Sequence, residues 1–207
     1  MSYATELATG LTALKVVASA EQQQQLLDYL DLLIKWNQAY NLTAVRDPRE
    51  MVSRHLLDSL SVHPYLQGQR LIDVGTGAGL PGIPLAILNP DKAFSLLDSN
   101  GKRTRFLTQV KMTLGLQNVE VLNTRVESWQ PPQPFDTVLS RAFASMQDMV
   151  KVTSHLLKPG GLFMAMKGLY PEQEIAALPA SLQLEQALAL QVPGCEAERH
   201  LVIVRQP

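Results

Sequence analysis

The chain has 207 residues, of which 46% are hydrophobic and 18% are charged, and its net charge is −1. This composition excludes a disordered protein, and it gives no overall sign of nucleic-acid binding. The single cysteine, Cys195, excludes an intramolecular disulfide and argues against a cysteine-based metal site. Without a signal peptide or an apolar run of about 20 residues, we expect a cytoplasmic protein that binds neither membrane nor metal.

The first part of the chain has a helical pattern. The stretch EQQQQLLDYLDLLIKWNQAY at 21–40 repeats leucine or isoleucine every three or four residues, which predicts an amphipathic helix. Asp47 and Pro48 suit the N-cap and first turn of a second helix through REMVSRHLLDSL. We predict a helical extension over 1–65 and a second region over 66–207, together forming one compact unit.

From residue 70 onward, short apolar runs alternate with helical stretches. This alternation predicts βαβ units and an open α/β fold with a mainly parallel sheet. The segment LLKPGG at 156–161 predicts a helix end and a Pro-Gly turn. The gap between the last two strands is too short for a helical crossover, so they should form an antiparallel hairpin. Predicted strands cover 70–74, 93–97, 119–122, 135–139, 162–166, 184–191 and 200–205, and predicted helices cover 81–88, 101–114, 145–157 and 171–178.

A glycine-rich turn, LIDVGTGAGLPG at 71–82, follows the first predicted strand. Two ligand classes compete for it, because Gly77, Gly79 and Gly82 satisfy the dinucleotide fingerprint G-x-G-x-x-G. In the other register, Asp73 precedes three glycines at every second position, Gly75, Gly77 and Gly79. That acid would repel a pyrophosphate, but it suits a positively charged ligand such as S-adenosylmethionine. We therefore favour S-adenosylmethionine, and the predicted contacts in this stretch are Asp73, Gly75, Gly77 and Gly79.

Polar residues follow the next three predicted strands. Asp98 can accept hydrogen bonds from ribose hydroxyls or act as a helix N-cap, and the two roles are compatible. Val126 and Glu127 can contact an adenine ring and its amino group, although Glu127 is equally well explained as a solvated loop acid. Ser140 and Arg141 lie where a methyl acceptor would arrive, unless Arg141 caps a helix or pairs with an acid.

Long motifs resemble one known family. They are YNLTAVRDP, RHLLDSL, LIDVGTGAGLPGIPLAI, LLDSNGKRTRFL, RVE, FDTVLSRA, LLKPGG and RHLVIVR. In this order they resemble the bacterial 16S ribosomal RNA guanine-N7 methyltransferases, also called glucose-inhibited division protein B. The resemblance implies a Rossmann-like class I methyltransferase with a seven-stranded, mostly parallel sheet and an N-terminal helical extension. It also implies S-adenosylmethionine contacts by Gly75, Leu80, Asp98, Val126, Glu127 and Arg141.

The implied reaction is methylation of N7 of a guanine in the decoding region, on a ribosomal particle. Guanine N7 carries a lone pair and no proton, so in-line displacement needs no strong general base. We expect catalysis by positioning, with Arg141 at the guanine O6 edge or a phosphate and N7 left free.

Local basic clusters supply the candidate RNA contacts. Near the predicted site they are Lys102, Arg103, Arg105, Lys167 and Arg199, and in the extension Arg46, Arg49 and Arg54. Asn41 and His55 are either RNA contacts or core and capping groups. Because the chain is nearly neutral, we expect weak binding to naked RNA and recognition of a shape on the small subunit by a monomer.

Two other functions remain open on the residues alone. An NAD(P)-dependent oxidoreductase would use the dinucleotide register, but no tyrosine here is followed four residues later by lysine. An adenosine-sensing or ribosome-binding module would bind its ligand without turnover.

Overall fold

The computed structural model describes residues 2–207. The N-terminal part is helical, as predicted. Its elements are α1 (Tyr3–Ala13), α2 (Ala20–Tyr40), α3 (Pro48–Met51), a π-helical segment (Val52–Leu57), α4 (Asp58–Leu60) and a 3-10 turn (His63–Tyr65). None of the helices in 2–207 is long and apolar enough to cross a membrane.

Side-chain caps define the ends of these helices. A capping box begins α2, in which Ser19 Oγ accepts from Gln22 N–H and the Gln22 side chain accepts from Ser19 N–H. Asp47 caps α3 as predicted, by accepting from Arg49 N–H. The predicted continuous helix through REMVSRHLLDSL is interrupted by the π-helical segment, a difference that an apolar repeat of three to four residues cannot reveal.

Seven strands form one sheet in the order β3-β2-β1-β4-β5-β7-β6. Within residues 2–207, β7 runs antiparallel to both of its neighbours, β5 and β6, and the other four neighbouring pairs are parallel, so both the mostly parallel sheet and the terminal hairpin are confirmed. The order reverses between β1 and β4, which is where ligands bind in open α/β sheets. The strands are β1 (Arg70–Val74), β2 (Ala93–Asp98), β3 (Val119–Asn123), β4 (Phe135–Ser140), β5 (Leu157–Lys167), β6 (Gln183–Ala189) and β7 (His200–Arg205).

Four helices cross between these strands or follow them, each within a few residues of its predicted limits. They are α5 (Gly82–Leu88), α6 (Gly101–Leu114), α7 (Met146–Thr153) and α8 (Glu172–Ala176), with 3-10 turns at Val126–Ser128 and Ser154–Leu156. The segment LLKPGG is not the predicted turn between elements. Leu157 already pairs with Phe135, while Leu162 pairs with Thr137, so the intervening residues form a bulge within β5.

The helical extension shares its apolar core with one face of the sheet. Leu26 and Leu30 of α2 belong to the same buried cluster as Phe106 of α6 and Leu71 of β1. Ile72, the next residue of β1, belongs to the cluster on the opposite face with α7, as strand alternation requires. The extension therefore covers the face on which α5 and α6 lie.

Polar contacts from α2 also reach the glycine-rich turn and its helix. The Tyr29 hydroxyl donates to the Ala78 carbonyl oxygen at 2.8 Å, and burial raises the pKa of this phenol. The Gln22 amide donates to the Ile87 carbonyl at the end of α5, at 3.1 Å. The extension thus supports the turn from behind.

Candidate active site

The glycine-rich turn folds over the carboxyl ends of β1 and β2. Gly75, Gly77 and Gly79 have φ values of +70°, +62° and +93°, a region that favours glycine. A Cβ at Gly79 would lie 2.6 Å from Ile83 Cγ1, whereas a Cβ at Gly77 would meet nothing nearer than 4.0 Å. Gly79 therefore permits close packing, and Gly77 leaves open space in which a ligand can approach the backbone.

Asp73 lies beneath this turn and is fully buried. Its Oδ2 accepts from Thr76 Oγ1 at 2.7 Å and from Gly82 N–H at 2.8 Å, and so joins the two ends of the turn. Burial raises its pKa to about 6, although these two hydrogen bonds favour the charged form. Asp73 was predicted as a cofactor contact; the structure places its carboxylate beneath the turn, and the residue lines none of the three cavities described below.

The raised pKa of Asp73 gives a stability prediction. Between pH 3.8 and about pH 6 the folded protein keeps a proton that the unfolded chain has released, so this group lowers stability as the pH rises. Asp73→Asn removes that titration. We expect the difference in unfolding free energy between Asp73→Asn and the wild type to rise by about 3 kcal/mol, in favour of the variant, from pH 3.5 to pH 7.

Urea unfolding of both proteins across this pH range tests the prediction. The other titrating groups are common to both chains and cancel in the difference. A stability difference that is constant with pH would mean that Asp73 has the same pKa in the folded and unfolded states, and would overturn the raised pKa.

A cavity of about 380 Å³ lies at the ends of β2 and β3; we call it the β2–β3 cavity. Asp98, Val126 and Glu127, all predicted from the sequence, are among its lining residues. The sequence did not indicate a role for seven other lining residues that carry side chains: Val74, Leu97, Ser99, Thr124, Arg125, Ala142 and Phe143. Two carboxylates and apolar walls in one cleft suit a ligand with hydroxyl and amino donors on flat rings.

Asp98 is the most strongly connected of these residues. Its Oδ2 accepts from Gly77 N–H at 3.0 Å and from Arg103 Nη1 at 3.2 Å, and its Oδ1 accepts from Asn100 N–H at 2.8 Å. Asn100, rather than Asp98, caps α6 by accepting from Lys102 N–H. A carboxylate has about four acceptor positions, so capacity remains for a ligand hydroxyl.

A second cavity, of about 230 Å³, lies along the glycine-rich turn; we call it the loop cavity. It shares Gly75, Arg103 and Ala142 with the β2–β3 cavity, so the two lie on either side of a common wall. Leu80, a predicted cofactor contact, lines it. Leu42 and Thr43 of the extension line it as well, although YNLTA offered no pattern that would assign them a role.

A third cavity, of about 260 Å³, lies between the extension and the ends of β4 and β5; we call it the arginine cavity. Arg141 lines both this cavity and the loop cavity, and therefore stands between them. Its Nη1 donates to Asp58 Oδ2 at 2.8 Å, and the other oxygen of Asp58 accepts from Arg199 Nε at 2.9 Å. The remaining lining residues are Val45, Arg54, His55, Met166, Lys167 and Gly168.

The candidate RNA contacts divide by position. Lys167, Arg199 and His55 line the arginine cavity. Arg103 instead contacts Asp98 and lines both other cavities, together with the predicted cofactor contacts Asp98 and Leu80. Lys102 is exposed on α6 and lines none of the three.

His55 and Asn41 make local hydrogen bonds. His55 Nδ1 donates to the Arg54 carbonyl at 3.0 Å, which leaves Nε2 to accept from the Thr43 hydroxyl at 2.8 Å. Burial, and then the charge of Arg141, lower the His55 pKa to about 4, so the ring is neutral at pH 7. Asn41 is exposed, ends α2 with a left-handed backbone conformation and accepts from Arg46 at 2.7 Å.

Comparison with known proteins decides the family. The family described as "GidB: rRNA small subunit methyltransferase G" matches residues 22–202. The chain belongs to this family. The ribosomal RNA small subunit methyltransferase G of Pseudomonas syringae pv. syringae (strain B728a) is 57% identical over 204 residues, covering 99% of this chain and 95% of that protein. The protein of the same name from Pseudomonas putida (strain GB-1) is 58% identical over 206 residues, with the same coverage.

Solved structures confirm the expected fold class. A SAM-dependent methyltransferase from Aquifex aeolicus has a TM-score of 0.60 at 19% identity and covers 81% of this chain and 97% of its own. N-methyltransferase NodS from Bradyrhizobium japonicum WM9, in complex with S-adenosyl-L-homocysteine, has a TM-score of 0.56 at 15% identity, with coverages of 86% and 98%. As a member of the rRNA small subunit methyltransferase G family with this Rossmann-like fold, the chain is an S-adenosylmethionine-dependent methyltransferase.

The residues present fit this cofactor. Gly77 leaves room above the turn that a side chain would fill, and Asp98 keeps acceptor capacity at the edge of the β2–β3 cavity. Glu127 adds a second carboxylate acceptor, and Arg103 and Arg125 line the same cavity, so its wall carries charges of both signs. The choice of S-adenosylmethionine over a nicotinamide dinucleotide therefore follows from the family rather than from these charges.

Proposed function

We propose that this chain transfers a methyl group from S-adenosylmethionine to N7 of a specific guanine in 16S ribosomal RNA. The observation that supports this most directly is the position of Arg141, which lines both the loop cavity and the arginine cavity. A cofactor on one side of Arg141 and a base on the other would meet at this side chain. The cofactor supplies an electrophilic methyl group on a sulfonium.

On the cofactor side, we assign binding to residues around the turn and the β2–β3 cavity. Asp98 accepts from the ribose hydroxyls, and Val126 and Glu127 hold the adenine ring and its amino group. The backbone of Gly75 and Gly77, with Leu80 and Arg141, faces the rest of the molecule. Asp73 keeps the turn in shape from beneath, with Gly79 packed against α5.

On the acceptor side, the chemistry requires orientation rather than proton transfer. Guanine N7 has a lone pair and loses no proton, so no general base is needed. The neutral His55, whose two ring nitrogens are both engaged, is consistent with that scheme. We assign Arg141 to the guanine O6 edge or an adjacent phosphate, because a bidentate grip on O6 and N7 would block the reacting atom.

The distribution of charge supports a folded ribosomal substrate. Arg54, Arg141, Lys167 and Arg199 converge on one cavity, while the whole chain carries a net charge of −1. Few phosphates can be neutralised at once, so affinity for free RNA should be low and should depend only weakly on salt. We propose that a monomer recognises the decoding region as presented on the small subunit in the cytoplasm, with exposed Lys102 and Asn41 as outer contacts.

Methyl transfer from labelled S-adenosylmethionine tests this function. The substrate is small ribosomal subunits from cells that lack this protein, with protein-free 16S RNA and guanine-containing oligonucleotides as comparisons. We expect label on one guanine of the subunit, located by N7-specific strand scission. Label at another atom would overturn the assigned acceptor, equal labelling of oligonucleotides would overturn recognition of the particle, and cofactor binding without label would favour a binding module.

A further inference from the structure

One carboxylate joins two arginines from distant parts of the chain. Asp58, at the start of α4, accepts from Arg141 Nη1 at 2.8 Å through Oδ2 and from Arg199 Nε at 2.9 Å through Oδ1. Its side chain is only 2% exposed, whereas those of Arg141 and Arg199 are 30% and 21% exposed. The two guanidinium groups therefore share a buried anchor and keep surface toward the arginine cavity.

Both arginines retain hydrogen-bonding capacity beyond this anchor. A guanidinium has five N–H donors, and each arginine gives one to Asp58. Arg141 Nη1 also reaches the Arg54 carbonyl at 3.4 Å, and Arg199 Nη1 donates to the Glu198 carbonyl at 2.8 Å. The other N–H groups are left to serve a ligand.

The charge at this cavity also favours an anionic or strongly accepting ligand. Asp58 neutralises one positive charge, and two arginines face it. Arg54 and Lys167 line the same cavity, although Glu50 and Glu174 pair with them from outside its lining. Guanidinium donors in this arrangement match a phosphodiester or the O6 edge of guanine.

We propose that Asp58 is a positioning residue for methyl transfer, which holds Arg141 and Arg199 in one geometry so that a guanine nucleotide of RNA meets pre-ordered donors. This inference rests on the proposed function. Arginine side chains are long and have many rotamers, and ordering them before the RNA arrives removes part of the entropic cost of binding. Asp58 acts through the two arginines, which carry the contacts to the nucleotide.

The test compares Asp58→Asn, Arg199→Gln and the double variant in steady-state methylation of small subunits. We expect each single variant to lower kcat/KM about 10- to 100-fold, the range for one hydrogen bond to a charged group. The double variant should lose little beyond the worse single variant, since Asp58 acts partly through Arg199. The affinity for S-adenosylmethionine, measured by calorimetry, should change much less than kcat/KM.

The matched control is Asp136→Asn. Asp136 also pairs with a basic residue, Lys158. It lies near the amino end of β4, however, whereas the arginine cavity lies at the carboxyl end of that strand. It should leave kcat/KM unchanged. Losses that multiply in the double variant, or an equal loss in the control, would overturn the positioning role.

Arg199→Lys keeps the test decisive if Asp58→Asn does not fold. This variant keeps the charge but lacks the guanidinium fork, so we expect it to lose nearly as much activity as Arg199→Gln. Full activity in Arg199→Lys would show that charge alone suffices, and would overturn the inference.

A readout that needs no activity separates this inference from the proposed function. In a ¹⁵N–¹H spectrum of arginine side chains, the Arg199 Nε–H should exchange slowly with water in the wild type. It should exchange quickly in Asp58→Asn and in Asp58→Ala, in which Arg199 has lost the carboxylate that accepts from Nε. Arg199→Gln assigns the signal. A wild type that methylates no subunits would overturn the proposed function, and an unchanged Nε–H signal in the Asp58 variants would overturn the anchor.

Discussion

Arg141→Gln should lower the rate of methyl transfer to small subunits by about 100- to 1000-fold at saturating S-adenosylmethionine, the usual effect of removing one electrostatic or orienting donor. Arg141 lies between the loop cavity and the arginine cavity, and its guanidinium is held by Asp58. Glutamine keeps part of the length of the side chain but loses the charge and the planar fork. Both the orientation of the base and the local field should therefore be lost.

Single-turnover methylation measures this effect without a contribution from product release. Arg205→Gln is a suitable control, because Arg205 is also ion-paired, with Glu185. Arg205 is the last residue of β7 and lies opposite Leu162, at the end of β5 that is far from the arginine cavity. It should react at the rate of the wild type. A normal single-turnover rate for Arg141→Gln would remove Arg141 from the reaction and leave the assignment of the arginine cavity without its main support.

Asp98→Ala should weaken binding of S-adenosylmethionine by about 100-fold or more. The substitution removes the acceptor proposed for the ribose and also the acceptor of Gly77 N–H, which shapes the turn. Hydrogen bonds to charged groups contribute about 1.5–3 kcal/mol each, and 1.4 kcal/mol corresponds to a tenfold change in Kd. Two such losses give the expected magnitude.

Isothermal titration with S-adenosylmethionine and with adenosine tests this assignment. Asp98→Asn, which keeps one oxygen acceptor and loses the charge, should lie between the wild type and Asp98→Ala. Arg103→Gln should weaken binding less than Asp98→Ala does, because Arg103 lines the cavity and donates to the carboxylate but does not supply the acceptor for the ribose. An unchanged affinity for adenosine in Asp98→Ala would place the ribose elsewhere.

Local patterns in the sequence predicted most of the fold. The strands and helices from residue 70 to the end were recognisable from apolar periodicity and turn residues, which act over a few positions. The glycines at 75, 77 and 79 marked the turn after β1 for the same reason, and the structure gives all three a positive φ. The bulge in β5 and the π-helical segment were missed, because they depend on how a segment pairs or continues rather than on its composition.

The candidate site was predictable wherever it follows from strand ends. Asp98, Val126, Glu127 and Arg141 come directly after parallel strands, and such ends meet at one edge of a sheet. The direction of a side chain at that edge was not predictable. Asp73 is the penultimate residue of β1 and Asp98 is the last residue of β2, yet one carboxylate lies buried beneath the turn and the other borders a cavity.

The arginine cavity shows what only the tertiary structure decided. Asp58 is separated from Arg141 by 83 positions along the chain and from Arg199 by 141. No local sequence pattern relates residues so far apart. They meet because the extension packs against one face of the sheet. The carboxyl end of β4, next to Arg141, and the amino end of β7, next to Arg199, lie at the same end of the sheet. The sequence by itself determined the family, the class of cofactor and which polar residues follow each strand near the turn. The packing of distant segments, which depends on the whole buried surface, determined which charges face one another.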